Sequence, residues 1–535
     1  MSGNVIADSS WSFAPIPPVF RFSSRPNQAH TIHWRAWGKA AFDEAIQADK
    51  PIFLLISSLW CQGCQLMDET TLSEPRVIEV LNADYISIRV DSDLRPDINQ
   101  RYNQNGWPSV LFLSSEGEVF WGGVYIPATK LLYYLGYIRR YYVAHRDDLS
   151  WQVQLLQDQR HTRVLPQILR ENTLRALLPE EQQDLNALPA AAAEILRELY
   201  DPEQGGFTIH SYLKFPHPEA LELFLLLKKP EDVERVCYSL TQMRDGGLWD
   251  IEGGGFFRYS TAGDWSMPHT EKMLNENAAM LHLLLLTAQF TGDQQWIELS
   301  RQLITYIDTT LWQPDTGAFS GSQGADEEYY EPGLYSRASR VSPPVDPTIY
   351  TAWNARMISS YLLASRVLND PALQAHALQA LDYLCKHMIH HDGSTFHYVI
   401  NEKACLSGQL ADQVWMIQAL LDAHELDSTR GYLETALTLM HFSCQVLQDS
   451  QNALFYDCPE DPLAIGRLAL REQPLIENAL AAWCLFRLSA YSQKQTFHDN
   501  AMRVLVGGLN KYYHSGIQGA LYACIVAQAS EQQWL

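Results

Sequence analysis

The chain has 535 residues, 47% hydrophobic and 19% charged, with a formal net charge of -23 and a pI of about 5.1. This length exceeds one ordinary hydrophobic core, so two or more domains are expected. The acidic balance argues against nucleic acid or an anionic membrane as the main partner, since both require basic patches, and no apolar run is as long as a membrane-spanning helix.

The N-terminal segment and the cysteines indicate the compartment. Residues 1–18 lack a basic stretch followed by an apolar one, so no secretory signal is expected. Of the nine cysteines, only Cys61 and Cys64 form a close pair. The other seven are scattered: Cys237, Cys385, Cys405, Cys444, Cys458, Cys484 and Cys524. This is not a disulfide framework, and it predicts a cytoplasmic protein.

The cysteine pair follows Trp60 at the end of an apolar run, 51–59, that is short enough to be a buried strand. Residues 65–69 predict a helix, so Cys61 and Cys64 lie where a strand passes into a helix whose N-terminus stabilises a thiolate. Cys61 precedes the helix and is predicted to be the attacking thiol and the more exposed one. A zinc site is disfavoured because no second C-x-x-C or H-x-x-x-H lies nearby, and neither a metal nor another cofactor is predicted. Two packed thiols are the alternative.

The segments that follow predict a thioredoxin-like α/β domain over 21–145. Strands are expected at 85–91, 109–113 and 118–122, and helices at 93–102 and 130–142. Pro108 stands where a proline opening a strand would face the dithiol, and we expect the peptide bond before it to be cis. Cys61, Cys64 and Pro108 are the predicted catalytic residues, with Trp60 and Trp107 beside the substrate. The polar stretch 146–187 is predicted to be a connector.

Residues 188–535 predict an all-α domain built from repeats. Eleven apolar helical segments alternate with short turns of glycine or small polar residues that run into an aromatic or apolar residue. The expected helices are 190–200, 218–227, 232–243, 275–290, 294–311, 351–368, 371–388, 409–425, 429–447, 475–491 and 496–512. The turn motif recurs at 207, 256, 319, 396, 455 and 521. Six such units of two helices describe an (α/α)6 toroid around a central cavity.

Polar side chains near the starts of the inner helices are the candidate ligand-binding residues of this domain. Histidine and carboxylates provide acid or base groups, tryptophan stacks on a sugar ring, and paired carboxylates permit glycoside hydrolysis. The alternative is that these groups only cap helices and clamp loops. The candidates are Arg258, Tyr259, Asp264, Trp265, His269, Glu271, Lys272, Asn277, Asp346, Trp353, Asn354, Asp412, Glu477 and Asn478. We expect eight of them to line one cavity at one end of the toroid: Asp264, Trp265, His269, Glu271, Asp346, Trp353, Asn354 and Asp412.

Several motifs resemble those of the spermatogenesis-associated-protein-20-type family, from about Arg21 to the C-terminus. They are Trp34-x-x-Trp37-Gly38, Trp60-Cys61-x-x-Cys64, Asp91 with Arg95-Pro96-Asp97, Gly106-Trp107-Pro108, Lys214-Phe215-Pro216, Gly254-Gly255-Phe256-x-Arg258-Tyr259, Pro268-His269-x-Glu271-Lys272 and Trp353-Asn354. The resemblance implies a thioredoxin-like domain joined to a six-hairpin, glycosidase-like domain. The family usually carries histidines beside the dithiol, whereas this chain has Gln62, Gly63 and Gln65 there.

Three functions follow as hypotheses. The first is thiol–disulfide exchange through Cys61 and Cys64 on a protein disulfide. The second is a carbohydrate-active or carbohydrate-binding function of the toroid, either epimerase-like or glycosidase-like, on a small carbohydrate. The third is a non-enzymatic binding or chaperone-like role in which both sites are vestigial. Neither nucleic acid nor a membrane is an expected partner.

Overall fold

The computed structural model describes residues 19–145, 185–209, 213–331 and 337–535. The N-terminal segment 1–18 and nearly all of the predicted connector, 146–184, lie outside the described residues.

A five-stranded sheet organises the first unit. Its strands are β1 (Trp34–Arg35), β2 (Ile52–Ser57), β3 (Ile86–Asp91), β4 (Ser109–Leu113) and β5 (Val119–Gly123), and its helices are α1 (Lys39–Ala48), α2 (Gln62–Glu69), α3 (Pro75–Asp84), α4 (Pro96–Tyr102) and α5 (Ala128–Ala144). The strand order is β1-β3-β2-β4-β5. The strands β1, β3 and β2 run parallel, β4 pairs antiparallel with β2, and β5 pairs antiparallel with β4. This topology is thioredoxin-like, so the predicted fold of this unit is confirmed.

The central strand β2 explains why its sequence is continuously apolar. All six of its residues are buried, because helices cover both faces of the sheet. Phe53 and Leu55 belong to the core on one face, and Ile52, Leu54 and Ile56 to the core on the other. The edge strand β1 was not predicted, because two residues are too few to produce a recognisable alternation.

In the described part of the chain, the second unit contains the short helix Glu327–Tyr330 and twelve longer helices. The longer helices are α6 (Leu188–Leu199), α7 (Pro218–Leu226), α8 (Pro230–Gly246), α9 (Leu274–Thr291), α10 (Gln294–Tyr306), α11 (Thr351–Val367), α12 (Pro371–His387), α13 (Leu410–Leu426), α14 (Tyr432–Phe442), α15 (Leu475–Ser492), α16 (Gln495–Tyr512) and α17 (Ala520–Glu531). Helices α7, α9, α11, α13, α15 and α17 each pack on the next, and α17 packs back on α7, so they close a ring. Helices α8, α10, α12, α14 and α16 pack outside their partners, and α6 packs outside α17. The predicted (α/α)6 toroid is confirmed.

The sixth hairpin joins the two ends of this unit. Its inner helix α17 comes last in the chain, and its outer helix α6 comes first. The sequence motif at 518–522 was predicted to be another turn. The structure instead places it at the start of α17, which the sequence analysis missed.

A buried amide fixes the turn before several inner helices. Asn277, Asn354 and Asn478 each occupy the fourth position of an inner helix. The Asn354 side chain accepts a hydrogen bond from the Phe319 N–H and donates to the Phe319 carbonyl, at 2.8 and 3.0 Å. Asn277 and Asn478 hold Phe256 and Phe455 in the same way. The turn motif seen in the sequence is therefore half of a repeated contact.

The thioredoxin-like unit lies against the end of the toroid where inner helices begin. Arg21 connects the two units through Asp91 of β3 at 2.6 Å, Asp346 at 2.7 Å and the Tyr350 hydroxyl at 3.2 Å. On the other side, Arg101 of α4 pairs with Asp457 at 2.8 Å. Because these ionic side chains are largely buried, the contact is an integral part of the fold.

Candidate functional site

The dithiol lies at the N-terminus of α2, as predicted. Cys61 is the residue before the helix, and its Sγ accepts a hydrogen bond from the Cys64 N–H at 3.3 Å. The Ser58 N–H donates to Cys64 Sγ at 3.4 Å. Burial raises the pKa of the Cys64 thiol well above its usual value. The arrangement supplies a backbone donor to each sulfur.

Pro108 faces the dithiol loop, and the Trp107–Pro108 peptide bond is cis, as expected. A Cβ atom added at Gly63 would lie 3.3 Å from the Trp107 carbonyl oxygen and 3.4 Å from Pro108 Cδ. The loop between the two cysteines therefore packs directly on this peptide bond. Trp60 and Trp107 meet edge to face, with ring centroids 5.5 Å apart.

Both thiols are buried, because the toroid covers them. Cys61 is 7% exposed and Cys64 3%, so Cys61 is the more exposed of the two but neither is on the surface. They form one apolar cluster with Trp60 and with Met273 and Trp353 of the toroid. The Ala325 N–H also donates to the Trp60 carbonyl at 3.1 Å. The toroid thus reaches the residue next to the dithiol.

Arg258 brings the charged part of the toroid to the same place. Its guanidinium carbon lies 4.5 Å from the centroid of the Trp60 ring and 5.1 Å from that of Trp107. The guanidinium also lies near two carboxyl groups. Arg258 Nε is 3.2 Å from Glu276 Oε1, and Arg258 Nη1 is 3.8 Å from Glu271 Oε1. We call the space bounded by Trp60, Trp107, Arg258, Glu271 and Glu276 the junction chamber.

The two carboxyl groups of the junction chamber differ in exposure. Glu271 is 2% exposed, and burial raises its pKa to about 7 in spite of Arg258. The Glu276 side chain is 37% exposed, yet burial also raises the pKa of its carboxyl group. The Glu276 side chain is therefore partly accessible although the surrounding protein encloses it. One oxygen of each carboxyl group, Oε2, is buried and accepts no hydrogen bond from the described residues.

His269 and Tyr259 border the chamber as a stacked pair. Their ring centroids are 4.5 Å apart, and Tyr259 also stacks on Phe215 at 4.7 Å. His269 Nδ1 lies 3.8 Å from Glu271 Oε2, and burial lowers the pKa of this histidine. The structure therefore brings together Arg258, Tyr259, His269, Glu271 and, through its contact with the dithiol cluster, Trp353.

Four predicted site residues lie elsewhere. Asp264 is exposed in a turn, where it accepts hydrogen bonds from Ser266. Trp265 is fully buried and donates to the Gln204 carbonyl, so its ring is not a platform for a sugar. Lys272 is enclosed with Asp250 at 2.7 Å, and Asp346 is bound to Arg21. Three of these four, Asp264, Trp265 and Asp346, were among the eight residues expected to line one cavity. Trp265 and Asp346 are instead bound within the fold, and Asp264 lies in an exposed turn.

Helix starts account for the remaining candidates. Asn277, Asn354 and Asn478 hold turns, as described above, and are buried. Asp412 accepts from the Ala352 N–H at 3.0 Å and pairs with His397 Nδ1 at 2.8 Å. Glu477 is half-buried, and burial raises its pKa. His269 and Asp412 do lie at the same end of the toroid, the one that faces the thioredoxin-like unit.

Sequence reasoning missed a group of contacts between the units. His397 Nε2 lies 2.8 Å from the Asp93 carbonyl oxygen, and the Asp93 carboxylate accepts from Trp60 Nε1 at 2.7 Å. Met273 and Ala325 complete the cover over the dithiol. No local pattern indicates these residues, since the contacts that cross between the units join distant positions, such as His397 and Asp93, 304 residues apart.

Among the described residues, no cluster of three or more His, Cys, Asp or Glu side chains is arranged to hold a metal ion. No helix in that part of the chain is long and apolar enough to cross a membrane.

The fold and the site define a class of protein: a thioredoxin-like unit whose dithiol faces the mouth of a six-hairpin toroid. Residues 24–159 match the family model Thioredox_DsbH, described as a protein of unknown function, DUF255. Spermatogenesis-associated protein 20 of Homo sapiens is 24% identical over 94% of this chain and 79% of its own. The protein of the same name in Mus musculus is 24% identical over 89% and 75%. The resemblance predicted from the motifs is thus confirmed.

Solved structures provide a second comparison. Cellobiose 2-epimerase from Bacillus thermoamylovorans matches 60% of this chain and 84% of its own, with a TM-score of 0.48 and 12% identity. The GH76 α-mannanase BT2949 of Bacteroides thetaiotaomicron matches 65% and 97%, with a TM-score of 0.47 and 10% identity.

Proposed function

We propose that this protein is a thiol–disulfide oxidoreductase acting through Cys61 and Cys64. The Cys61 thiolate attacks one sulfur of a substrate disulfide, whose S–S bond breaks and releases the first thiol. The Cys64 thiol then gives up its proton, and its sulfur attacks Cys61 Sγ in the mixed disulfide and releases the second thiol. Two electrons pass to the substrate, each released thiolate takes up a proton, and the protein is left with a Cys61–Cys64 disulfide.

The observation that carries this proposal is the position of Cys61. Its sulfur lies at a helix N-terminus, accepts a backbone N–H, and belongs to a loop packed on the Trp107–Pro108 peptide bond. A helix N-terminus favours the thiolate form, which is the nucleophile. The second cysteine, Cys64, is three residues along the chain, where it can resolve the mixed disulfide.

The test is a single turnover of the pre-reduced full-length protein with bis(2-hydroxyethyl) disulfide, a small neutral substrate. We expect release of two thiols per protein and a protein disulfide between Cys61 and Cys64, located by mass spectrometry. Cys61→Ser abolishes the reaction, whereas the matched control Cys237→Ser, on outer helix α8, leaves it unchanged. A reaction no faster than that of free dithiothreitol, with both cysteines intact, would overturn the proposal.

A carbohydrate-active function of the toroid is the second candidate. It is favoured by one observation: Glu271 and Glu276 flank Arg258 in an enclosed space bordered by aromatic rings. Two carboxyl groups with raised pKa values suit acid–base chemistry on a sugar.

The two candidates are separated by one pair of variants. If disulfide exchange is the activity, Cys61→Ser abolishes turnover of the disulfide and His269→Ala leaves it nearly intact. If sugar chemistry is the activity, His269→Ala abolishes turnover of a sugar, and Cys61→Ser does not. If neither variant loses either activity, a binding role is favoured.

A further inference from the structure

We infer that the dithiol serves a small, positively charged disulfide that binds in the junction chamber, and that protein disulfides are excluded from it. This inference rests on the proposed redox function and specifies its substrate. It is based on what covers the two thiols and on the charges that surround the remaining space.

The toroid fills the approach that a protein substrate requires. A protein disulfide must bring two chain segments to bonding distance of Cys61 Sγ. Here Met273 belongs to the same buried cluster as the two cysteines, Trp353 packs against that cluster, and Cys61 is only 7% exposed. The Trp60 carbonyl, which is the backbone acceptor next to Cys61, is already bound by the Ala325 N–H.

The same cover extends over the tryptophan pair and along α2. The Arg258 guanidinium lies on the Trp60 and Trp107 rings, at 4.5 and 5.1 Å. Gly324 lies close to Gln65, since a Cβ at Gly324 would be 3.7 Å from Gln65 Nε2. Toroid atoms therefore lie close to both ends of the dithiol loop, which restricts the approach of a large substrate.

The residual space holds more carboxyl groups than cations. Arg258 faces two carboxyl groups, Glu271 and Glu276, while the next guanidinium, Arg356, is already paired with Glu219. Buried Oε2 atoms of Glu271 and Glu276 accept no hydrogen bond from the described residues. A primary ammonium group supplies both the missing charge and the missing donors. The chemistry of the chamber thus fits a disulfide whose arms end in amines.

The electrons balance as in ordinary thiol–disulfide exchange. The reduced protein and one diamino disulfide give the Cys61–Cys64 disulfide and two aminothiols. No further oxidant or reductant is needed for a single turnover.

The experiment compares single-turnover rates of the pre-reduced full-length protein with four disulfides: insulin, bis(2-aminoethyl) disulfide, bis(2-hydroxyethyl) disulfide and 3,3′-dithiodipropionate. Each rate is divided by that of dithiothreitol with the same compound, which removes intrinsic reactivity. We expect the diamine to exceed the diacid by about tenfold or more, a difference of about 1.4 kcal/mol, and insulin not to react. Glu276→Gln lowers the preference for the diamine severalfold, whereas Glu298→Gln, on the exposed face of outer helix α10, does not.

The possible outcomes are distinct. No reaction with any small disulfide overturns the redox function itself. Reaction with insulin at a rate similar to the small disulfides overturns the exclusion of proteins while leaving the redox function standing. Equal normalised rates for the diamine and the diacid overturn the charge preference. A positive control tests whether the toroid blocks the dithiol. Ala325→Pro removes the N–H that donates to the Trp60 carbonyl, and we expect this variant to reduce insulin.

Discussion

Cys61 and Cys64 differ in environment although they are three residues apart. Cys61 is at the mouth of the helix and Cys64 is inside its first turn, where burial raises the thiol pKa. Alkylation of the folded protein with iodoacetamide at neutral pH should therefore be slow at both sites and label Cys61 first. Peptide mapping by mass spectrometry measures the order, and preferential labelling of Cys64 would contradict the assignment of Cys61 as the attacking thiol.

Glu271 makes the stability of the protein depend on pH. Its folded-state pKa is raised to about 7 by burial, above the ordinary value for glutamate, so folding favours its protonated form. The stabilisation is fully present below the unfolded pKa of about 4.3 and is lost as the pH rises through about 7. The variant Glu271→Gln has no carboxyl group at this position, so it does not show this loss of stability with rising pH.

The measurement is the urea midpoint of both proteins at pH 5 and pH 8. The stability of Glu271→Gln relative to the wild type should increase between these values by on the order of 1–3 kcal/mol. Glu298→Gln, at an exposed glutamate, is the matched control variant. A constant difference for Glu271→Gln would show that this carboxyl group titrates normally.

At the scale of elements, the toroid depends on its asparagine contacts. Asn354 is fully buried and satisfies both the N–H and the carbonyl of Phe319, 35 residues earlier. Replacing it by alanine leaves two buried backbone groups without a partner, at a cost of about 2–4 kcal/mol. The denaturation midpoint measures this loss.

The control for this prediction is Gln294→Ala at the exposed start of helix α10, which should change stability by less than about 0.5 kcal/mol. If Asn354→Ala were equally mild, the side chain would not be fixing the turn. The sequence indicated these turns from their glycines and aromatics. It did not reveal that the amide four positions into the next helix holds them, since that contact exists only once the hairpins have packed.

At the scale of the molecule, Arg21 holds the two units together. Arg21→Met leaves two buried carboxylates, Asp91 and Asp346, without their cation, at a cost of about 3–5 kcal/mol. We expect the junction to loosen and the alkylation of Cys61 to accelerate. Near-UV circular dichroism checks that each unit remains folded.

Arg25→Met is the matched control. Arg25 is 48% exposed and pairs with Asp326 at the surface, so its loss should cost less than about 1 kcal/mol and leave Cys61 protected. Equal alkylation rates in the two variants would mean that the contact between the units does not control access to the dithiol.

The sequence by itself determined the local and periodic features of this protein. A buried parallel strand must be continuously apolar, which identified β2, and a helix that follows it fixes where Cys61 lies. The repeat of two helices and a turn determined the toroid, because each unit can bury its apolar face only against its neighbours. The cis bond before Pro108 followed from its place at the start of a strand.

Only the tertiary structure decided which polar residues face a common space. Asp346 and Lys272 had the same appearance in the sequence as Glu271, yet the first two are consumed by Arg21 and Asp250. The partners are 325 residues away for Asp346 and 22 for Lys272, and neither spacing nor residue type indicates which partner a side chain will meet. For the same reason, the burial of the dithiol beneath the toroid was not predictable: it results from the docking of two surfaces that are each unremarkable alone.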